Sequence, residues 1–306
     1  MDNIQTEINE YLNYCEAQKR LDIKTLKAYK IDLNQFSSKY NSYTITEITT
    51  KLLEEYIGNL HKLYKPKTVK RKIASLKAFF HHLEYREKID KNPFNKLQVR
   101  FREPVILPKT IPLNTVEMFL STIYKEHKKA RTDYKRKNAL RDIAVAEVLF
   151  STGIRISELC SLKDSDVNLN DGILLIYGKG AKERRIQISN YDVINILKEY
   201  RNTFLDEIKQ CKHFFANQNG NSLSDQAIRR MINKYTDAAS IEQHITPHMF
   251  RHTFATSLLE ADVDIRYIQE MLGHSSINIT EIYTHVAIAK QGDILAAKHP
   301  RKNFKL

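Results

Sequence analysis

The chain has 306 residues, which exceeds the usual size of one domain and predicts two domains that each bury a core. It carries 49 Lys and Arg against 36 Asp and Glu, and the formal net charge of +13 favours a polyanionic partner such as nucleic acid. A basic charge also serves solubility alone, so motifs must decide between these two meanings.

Targeting and redox features exclude several other classes of protein. The first residues lack the basic and apolar segments of a secretion signal, and no apolar run approaches the roughly 20 residues of a membrane span. Cys15, Cys160 and Cys211 are far apart and form no CxxC pair, which argues against a disulfide framework or a structural zinc site. We expect a cytoplasmic protein without a membrane role, whose cysteines are reduced core thiols.

The first helix with a clear pattern is predicted from TLKAYKIDLNQF, residues 25–36. Leu26, Tyr29, Leu33 and Phe36 recur at spacings of three and four and form one apolar stripe. A single amphipathic helix must cover its stripe with neighbours, so we expect a small helical bundle here.

A second helix is predicted to begin after Lys65-Pro66-Lys67, with Thr68 as its N-cap. Its apolar face is formed by Val69, Ile73, Leu76, Phe80 and Leu83. Its other face is predicted to carry the cations Lys67, Lys70, Arg71, Lys72 and Lys77. These cations either bind DNA phosphates or are solvated, and the pattern alone does not decide between the two.

The helical period is lost between about residues 90 and 112. This stretch contains four prolines, which oppose helix continuation, at Pro93, Pro104, Pro108 and Pro112. We therefore predict an N-terminal domain at residues 1–100, a linker at 101–107 and a second domain at 108–306.

The second domain is predicted to be mostly helical with a small antiparallel sheet. Helical patterning covers residues 113–123 and 138–150 and ends at Gly153. The stretch GILLIYGKGAKERRIQIS has two β-prone runs around a Gly-Lys-Gly turn, which predicts a hairpin with Lys179 at its tip. From Tyr191 onward the pattern is again mostly helical.

Five short segments of the second half form an ordered series. They are TGIRISEL with Arg155, GKGAK with Lys179, PHMFRHTFAT with His248 and Arg251, LGHSS with His274, and EIYTHV with Tyr283. In order, spacing and flanking residues the series resembles the tyrosine recombinase family, which includes phage integrases and the Xer enzymes. The resemblance covers roughly residues 111–300. It is weaker in the first half, where TLKAYKIDL and the helix before EYREKIDKNPF look like Xer segments.

The residue types of this series suit cleavage of a phosphodiester without a metal ion. Such a reaction needs a nucleophile, cations for the non-bridging oxygens and an acid for the departing oxygen. Arg155 and Arg251 can each donate paired hydrogen bonds to a phosphate. The alternative for Arg155 is a salt bridge with Glu158, three residues along the same predicted helix.

The resemblance assigns the individual roles. It implies that Tyr283 attacks the scissile phosphate and forms a 3′-phosphotyrosyl bond, although tyrosine chemistry alone does not single it out among 16 tyrosines. It implies that Lys179 protonates the leaving 5′ oxygen, with Lys182 as a close competitor. His248 and His274 would join the arginines around the phosphate, although a lone His274 also fits a hydrogen-bonded core position. The bond energy is retained, so no cofactor is expected.

Metal and nucleotide sites are less well supported. His248 and His252 have the spacing of half a zinc motif, but Arg251 lies between them and the glutamate of that motif is absent. GKGAK lacks the frame of a P-loop, and the series contains no cluster of carboxylates for a two-metal mechanism. We expect no metal.

The resemblance also implies an architecture and partners. A helical, SAM-like core-binding domain and a mainly helical catalytic domain would form a C-shaped clamp around double-stranded DNA. The basic face of the second predicted helix, rather than the resemblance, supplies the candidate phosphate contacts Lys67, Lys70, Arg71 and Lys77. The DNA would carry paired inverted half-sites, bound by a tetramer of this chain or by this chain with a related recombinase subunit. The tail from about residue 287 to 306 would dock on a neighbouring protomer, with packing in cis as the alternative.

Three functions remain open from the sequence. The first is an active site-specific recombinase that works through a Holliday junction, in dimer resolution or in integration and excision of a mobile element. The second is a DNA-binding protein with an inactive recombinase fold, which the filling of all six catalytic positions disfavours. The third is a strand-passage enzyme of the type IB topoisomerase kind, which needs no partner protomer.

Overall fold

The computed structural model describes residues 3–97, 109–178 and 183–273. Within these ranges the fold is mainly helical with one small antiparallel sheet, which confirms the predicted fold class. The chain divides into two compact units, residues 1–105 and 106–306. In the described ranges, no helix combines the length and the apolar character that a bilayer span requires.

The N-terminal unit packs its helices around one apolar core. They are α1 (Ile4–Ala17), α2 (Ile23–Lys39), α3 (Thr50–Leu63) and α4 (Pro66–Tyr85). Leu33 and Phe36 of α2 are fully buried, and Leu26 and Tyr29 pack against the core from partly buried positions. The helix and its apolar stripe predicted from residues 25–36 are therefore confirmed.

Helix α4 begins earlier than its predicted cap. Pro66 occupies a position in the first turn, where its missing N–H costs no hydrogen bond and its fixed φ suits the helix. The N-cap is Lys65, so the prediction of Thr68 as N-cap is wrong. All five predicted apolar residues of α4 are buried, and Phe79 joins them in the core.

Lys72 is not part of a solvated basic face, and its prediction there is wrong. Its Nζ lies 3.1 Å from Oδ1 of Asp32, and the two side chains are only 3% and 1% exposed. Ser75 Oγ donates to Oδ2 of the same carboxylate at 3.0 Å, and Arg71 pairs with it from the solvent side. Position 72 follows Val69 by three residues, which places it within the buried stripe rather than beside it.

The C-terminal unit has a larger core and contains the sheet. Its helices are α5 (Leu113–Lys129), α6 (Asp133–Thr152), α7 (Ile156–Ser161), α8 (Tyr191–Thr203), α9 (Leu205–Cys211), α10 (Asp225–Ala238), α11 (Pro247–Glu260) and α12 (Ile265–Leu272). Helix α6 is the central element, since its second half is buried on nearly every side. The helices predicted at 113–123 and 138–150 are confirmed as parts of α5 and α6.

The sheet contains the predicted hairpin and one additional short strand. The strands β1 (Val167–Asn168), β2 (Ile173–Tyr177) and β3 (Glu183–Gln187) pair antiparallel in the order β1-β2-β3. Strand β1 was not predicted from the sequence. The hairpin tip with Lys179 lies outside the described residues, as do His274, Tyr283 and the tail from residue 287.

The three cysteines all lie in the described ranges and are reduced thiols, as expected. Cys15 is fully buried in the N-terminal core. Cys160 and Cys211 are half-buried and pack against the core of the C-terminal unit. Cys15 is therefore a core thiol, as expected, whereas Cys160 and Cys211 lie at the edge of the core.

The buried pair between Asp32 and Lys72 leads to a stability prediction. Asp32→Ala should destabilise the N-terminal unit by about 3–5 kcal/mol, because it leaves the Lys72 ammonium buried without its counter-charge. Glu10→Ala is the control, since Glu10 is 61% exposed and lies 3.8 Å from Lys88. Urea unfolding of the full chain, followed by circular dichroism, should show a large loss only for Asp32→Ala. Equal shifts of the two midpoints would contradict this account.

Candidate active site

Three of the six predicted catalytic residues lie within the described part of the chain. Arg155 is the residue immediately before α7, and His248 and Arg251 lie in the first turns of α11. All three belong to the C-terminal unit. Their surroundings define the arginine and histidine part of the predicted site.

A tight turn at the end of α6 positions Arg155. Gly153 ends the helix in the left-handed region at φ 59°. A Cβ atom at this position would lie 2.6 Å from Cδ1 of Phe254, so a larger residue would force the α11 side chain to move. The chain reaches Arg155 two residues later, and the side chain of Arg155 remains 34% exposed.

The carboxylate of Glu158 accepts hydrogen bonds from two arginines. Its Oε2 accepts from the backbone N–H of Arg155 at 2.9 Å and from the guanidinium of Arg184 at 2.7 Å. Its Oε1 accepts from the guanidinium of Arg155 at 2.7 Å and from that of Arg184 at 3.1 Å. Burial alone would raise the pKa of Glu158, but these hydrogen bonds outweigh it and lower that pKa below its ordinary value.

The salt bridge between Arg155 and Glu158, which the sequence suggested as an alternative role for Arg155, is therefore present. It uses one terminal nitrogen of the Arg155 guanidinium, Nη1. A guanidinium has five N–H donors, so this contact leaves others for a phosphate. The salt bridge and a phosphate contact are thus compatible for this arginine.

Arg251 is buried and joins the ends of two other helices. It is 4% exposed, and its guanidinium donates to the carbonyl oxygen of Gly153 at 2.9 Å and to that of Leu272 at 2.7 Å. Gly153 lies two residues before Arg155, and Leu272 is the last residue of α12. Arg251 thus brings the Arg155 segment and the end of α12 to one place.

Helix α11 presents two histidines with different environments. It begins at Pro247, and His248 in its first turn is exposed. His252 is half-buried, and burial together with the charges of His248 and Arg251 lowers its pKa to about 4. His252 is therefore neutral at neutral pH. Across the described ranges, no group of three or more His, Cys, Asp and Glu is placed to hold a metal ion.

Arg184 belongs to the same cluster, although it lies outside the sequence motifs that predicted the site. Besides its bonds to Glu158, its Nε donates to the carbonyl oxygen of Met271 at 2.7 Å. Arg184 and Arg251 therefore bind adjacent carbonyls at the end of α12. A signal was visible in the sequence, since strand alternation puts position 184 on the same face as the buried Ile186 and Ile188.

The cluster as a whole suits an anionic ligand. It combines the guanidinium groups of Arg155, Arg184 and Arg251 with the single carboxylate of Glu158, and three positive charges less one negative charge leave +2. Arginines are well suited to phosphate because their planar donor pairs match its oxygens. Among the four, Arg155 is the most exposed and is the member best placed to touch a ligand.

Comparison with known proteins gives matches over both units. The model of the phage integrase family matches residues 119–290, and that of the phage integrase N-terminal SAM-like domain matches residues 8–87. A tyrosine recombinase of Agathobacter rectalis is 68% identical over 307 residues, with 99% of each chain covered. The tyrosine recombinase XerD of Listeria innocua is 34% identical over 303 residues, with 96% of this chain and 98% of the relative covered.

Solved structures share the fold. A post-cleavage complex of the XerH site-specific recombinase with palindromic difH substrate has a TM-score of 0.73 at 22% identity, covering 95% of this chain and 85% of that one. The XerA recombinase has a TM-score of 0.53 at 27% identity, with 96% and 99% covered. The integrase model alone spans more than half of the chain, and the relatives span nearly all of it. The protein therefore belongs to the phage integrase family and is an Xer-type tyrosine recombinase.

Proposed function

We propose that this enzyme cleaves and rejoins double-stranded DNA at a specific site through a covalent 3′-phosphotyrosyl bond to Tyr283, by way of a Holliday junction. The observation that carries the proposal is the arginine arrangement around Gly153. Arg251 binds the carbonyl of Gly153, while Arg155 projects from the same turn with part of its side chain exposed. This cationic site occurs in a chain whose relatives are named tyrosine recombinases.

The proposed reaction conserves the number of phosphate ester bonds. The phenolic oxygen of Tyr283 forms a bond to phosphorus, its proton passes to a base, and the bond from phosphorus to the 5′ oxygen breaks. Lys179 gives a proton to that departing oxygen. A 5′-hydroxyl of the partner strand then reverses these steps, so that the strands are rejoined without ATP or a metal ion.

Charge stabilisation is assigned to the arginines and histidines. The transition state carries more negative charge on the non-bridging oxygens than the substrate does, and Arg155 and Arg251 would stabilise it by hydrogen bonds. His248 and His274 would add further donors. The same cations would favour the phenolate of Tyr283, because an unperturbed phenol has a pKa of about 10.

The proposed partner is a duplex with paired inverted half-sites, bound by a tetramer. Structural neighbours include XerH on palindromic difH substrate and a lambda integrase dimer on a COC' core site. In this chain Lys67, Lys70, Arg71 and Lys77 are exposed on α4, which supports them as phosphate contacts. The contact of Arg71 with buried Asp32 would hold its side chain ready for such a phosphate.

The biological role we propose is Xer-like resolution of chromosome or plasmid dimers. Relatives named XerD and XerC over nearly the whole chain support it. Integration or excision of a mobile element is the alternative, because the integrase of the transposon Tn1549 has the same fold.

Covalent capture tests the proposed function and identifies the target sequence in the same experiment. The tagged full-length chain is mixed with sheared DNA of its source organism in EDTA, denatured with detergent, and recovered with any attached DNA for sequencing. We expect one family of sequences from the wild type and none from Tyr283→Phe, because the nucleophile is removed while the ring is kept. Tyr267→Phe is the matched control, since Tyr267 is 62% exposed on α12.

Three outcomes of the capture experiment would count against the proposal. An undiminished adduct from Tyr283→Phe would remove this tyrosine from the mechanism. An adduct that EDTA abolishes and Mg²⁺ restores would disprove the metal-free reaction. Relaxation of plasmids without the recovered sequence, as fast as with it, would favour topoisomerase-like strand passage.

Lysine substitutions should distinguish the roles of Arg155 and Arg251 in catalysis and in stability. Arg155→Lys and Arg251→Lys should each slow single-turnover cleavage of a nicked duplex by about 100- to 1000-fold with little loss of DNA affinity. Only Arg251→Lys should also lower the thermal midpoint, because the buried Arg251 binds two carbonyls whereas Arg155 is 34% exposed. Cleavage at the wild-type rate by either variant would exclude that arginine from the transition state.

The basic face of α4 can be tested by salt dependence. Lys67→Gln with Lys70→Gln should reduce the slope of log affinity against log salt by about two units, one for each lost phosphate contact. The control Lys51→Gln with Lys62→Gln removes two exposed cations from α3. Fluorescence anisotropy on a short synthetic duplex gives both slopes. An unchanged slope in the α4 variant would show that Lys67 and Lys70 are solvated and do not contact DNA phosphates.

A further inference from the structure

We propose that Arg184 is a positioning residue of the recombinase site, an inference that rests on the proposed function. Arg184 binds Glu158 and the carbonyl of Met271 together. Through Glu158 it fixes the guanidinium of Arg155 and keeps that guanidinium able to hold the scissile phosphate. Arg184 itself does not touch the phosphate in this proposal.

All three nitrogens of the Arg184 guanidinium donate hydrogen bonds. Nη1 and Nη2 donate to the two carboxylate oxygens of Glu158 at 3.1 and 2.7 Å, and Nε donates to Met271 O at 2.7 Å. The side chain is 9% exposed, so these hydrogen bonds are largely shielded from water. A planar fork can satisfy a carboxylate and a carbonyl together, which the single nitrogen of lysine does poorly.

The backbone of Arg184 is itself held in the sheet. Arg184 pairs with Ile176 of β2, and its side chain lies on the same strand face as Ile186. The sheet thus fixes one end of this side chain, while α7 and α12 receive the other. One residue therefore links three elements of the catalytic unit.

Gly273 shows that the backbone at the end of α12 packs directly against the Arg184 side chain. Gly273 has φ 63°, and a Cβ atom there would lie 3.0 Å from Nη1 and 3.1 Å from Cδ of Arg184. The backbone that leaves α12 therefore passes against Arg184. The next residue in the sequence is His274, a predicted phosphate ligand.

The charge balance explains why a second arginine is needed. Arg155 and Glu158 alone form a neutral pair, and the Glu158 carboxylate would repel a phosphate that approaches Arg155. With Arg184 the trio keeps one net positive charge, because two guanidinium groups share one carboxylate. Arg184 thus lets Glu158 orient Arg155 without cancelling its charge.

The test is single-turnover cleavage of a nicked duplex that carries the captured sequence, at saturating protein. Arg184→Gln should slow cleavage up to about 100-fold, as expected for displaced reacting groups, with DNA affinity within about threefold of the wild type. Adding Glu158→Gln should recover part of this loss, because it removes the unbalanced negative charge beside Arg155. Arg184→Lys should fall between Arg184→Gln and the wild type.

A purely structural role of Arg184 predicts different results. If Arg184 only joins β3 to α12, the double variant should be no faster than Arg184→Gln, and the rate should follow the thermal midpoint. That result, or wild-type cleavage by Arg184→Gln, would overturn the inference. If Arg184→Gln does not fold, cleavage by Arg184→Lys at the wild-type rate would overturn it, and slow cleavage with an unchanged midpoint would support it.

A control and a reference separate this inference from the proposed function. Arg201→Gln removes another arginine from a carboxylate pair, with Asp164 at 2.9 Å, and should cleave at the wild-type rate. A wild-type chain that forms no adduct would refute the proposed function and the inference with it. A reactive wild type beside an equally reactive Arg184→Gln would refute the inference alone.

Discussion

Buried charge is the constraint on which the catalytic unit depends. Glu158 has a side chain 5% exposed and Arg251 is 4% exposed, and either would cost several kcal/mol if its partners were missing. Glu158 accepts hydrogen bonds from both Arg155 and Arg184, and Arg251 donates to carbonyls at the ends of both α6 and α12. The packing that satisfies these charges is the same packing that gathers the cations, so stability and site geometry have one physical origin.

The N-terminal unit uses buried charge for a different purpose. Lys72 and Asp32 fix the pairing of α2 with α4, while Lys70, two residues earlier, is exposed on the outer side of α4. Arg71 lies between these two situations, since its side chain is 44% exposed and contacts the buried Asp32. Within this short basic sequence, Lys72 therefore belongs to the core, whereas Lys70 belongs to the surface that we propose to bind DNA.

The sequence was most informative where one local rule decides the structure. Apolar spacing predicted α2 and α4, and Gly153 was recognised as the end of α6 because a left-handed terminus favours glycine. Local periodicity places Lys72 and Arg184 on buried faces, but it does not identify the distant carboxylate that makes a buried cation possible. Asp32 and Glu158 lie 40 and 26 residues away from these cations, so only the fold shows the pairing. The family resemblance selected Arg251 but could not indicate that it is buried.

The end of α12 shows how these charges act together. A helix C-terminus carries partial negative charge on its unpaired carbonyls, which disfavours a phosphate nearby. At α12 the last two carbonyls, those of Met271 and Leu272, accept hydrogen bonds from Arg184 and Arg251. The two cations therefore more than offset the helix dipole at the point where the chain continues towards His274. The end of α12 would otherwise repel a phosphate and is thereby made compatible with one, and the same two contacts hold this helix end against β3 and α11.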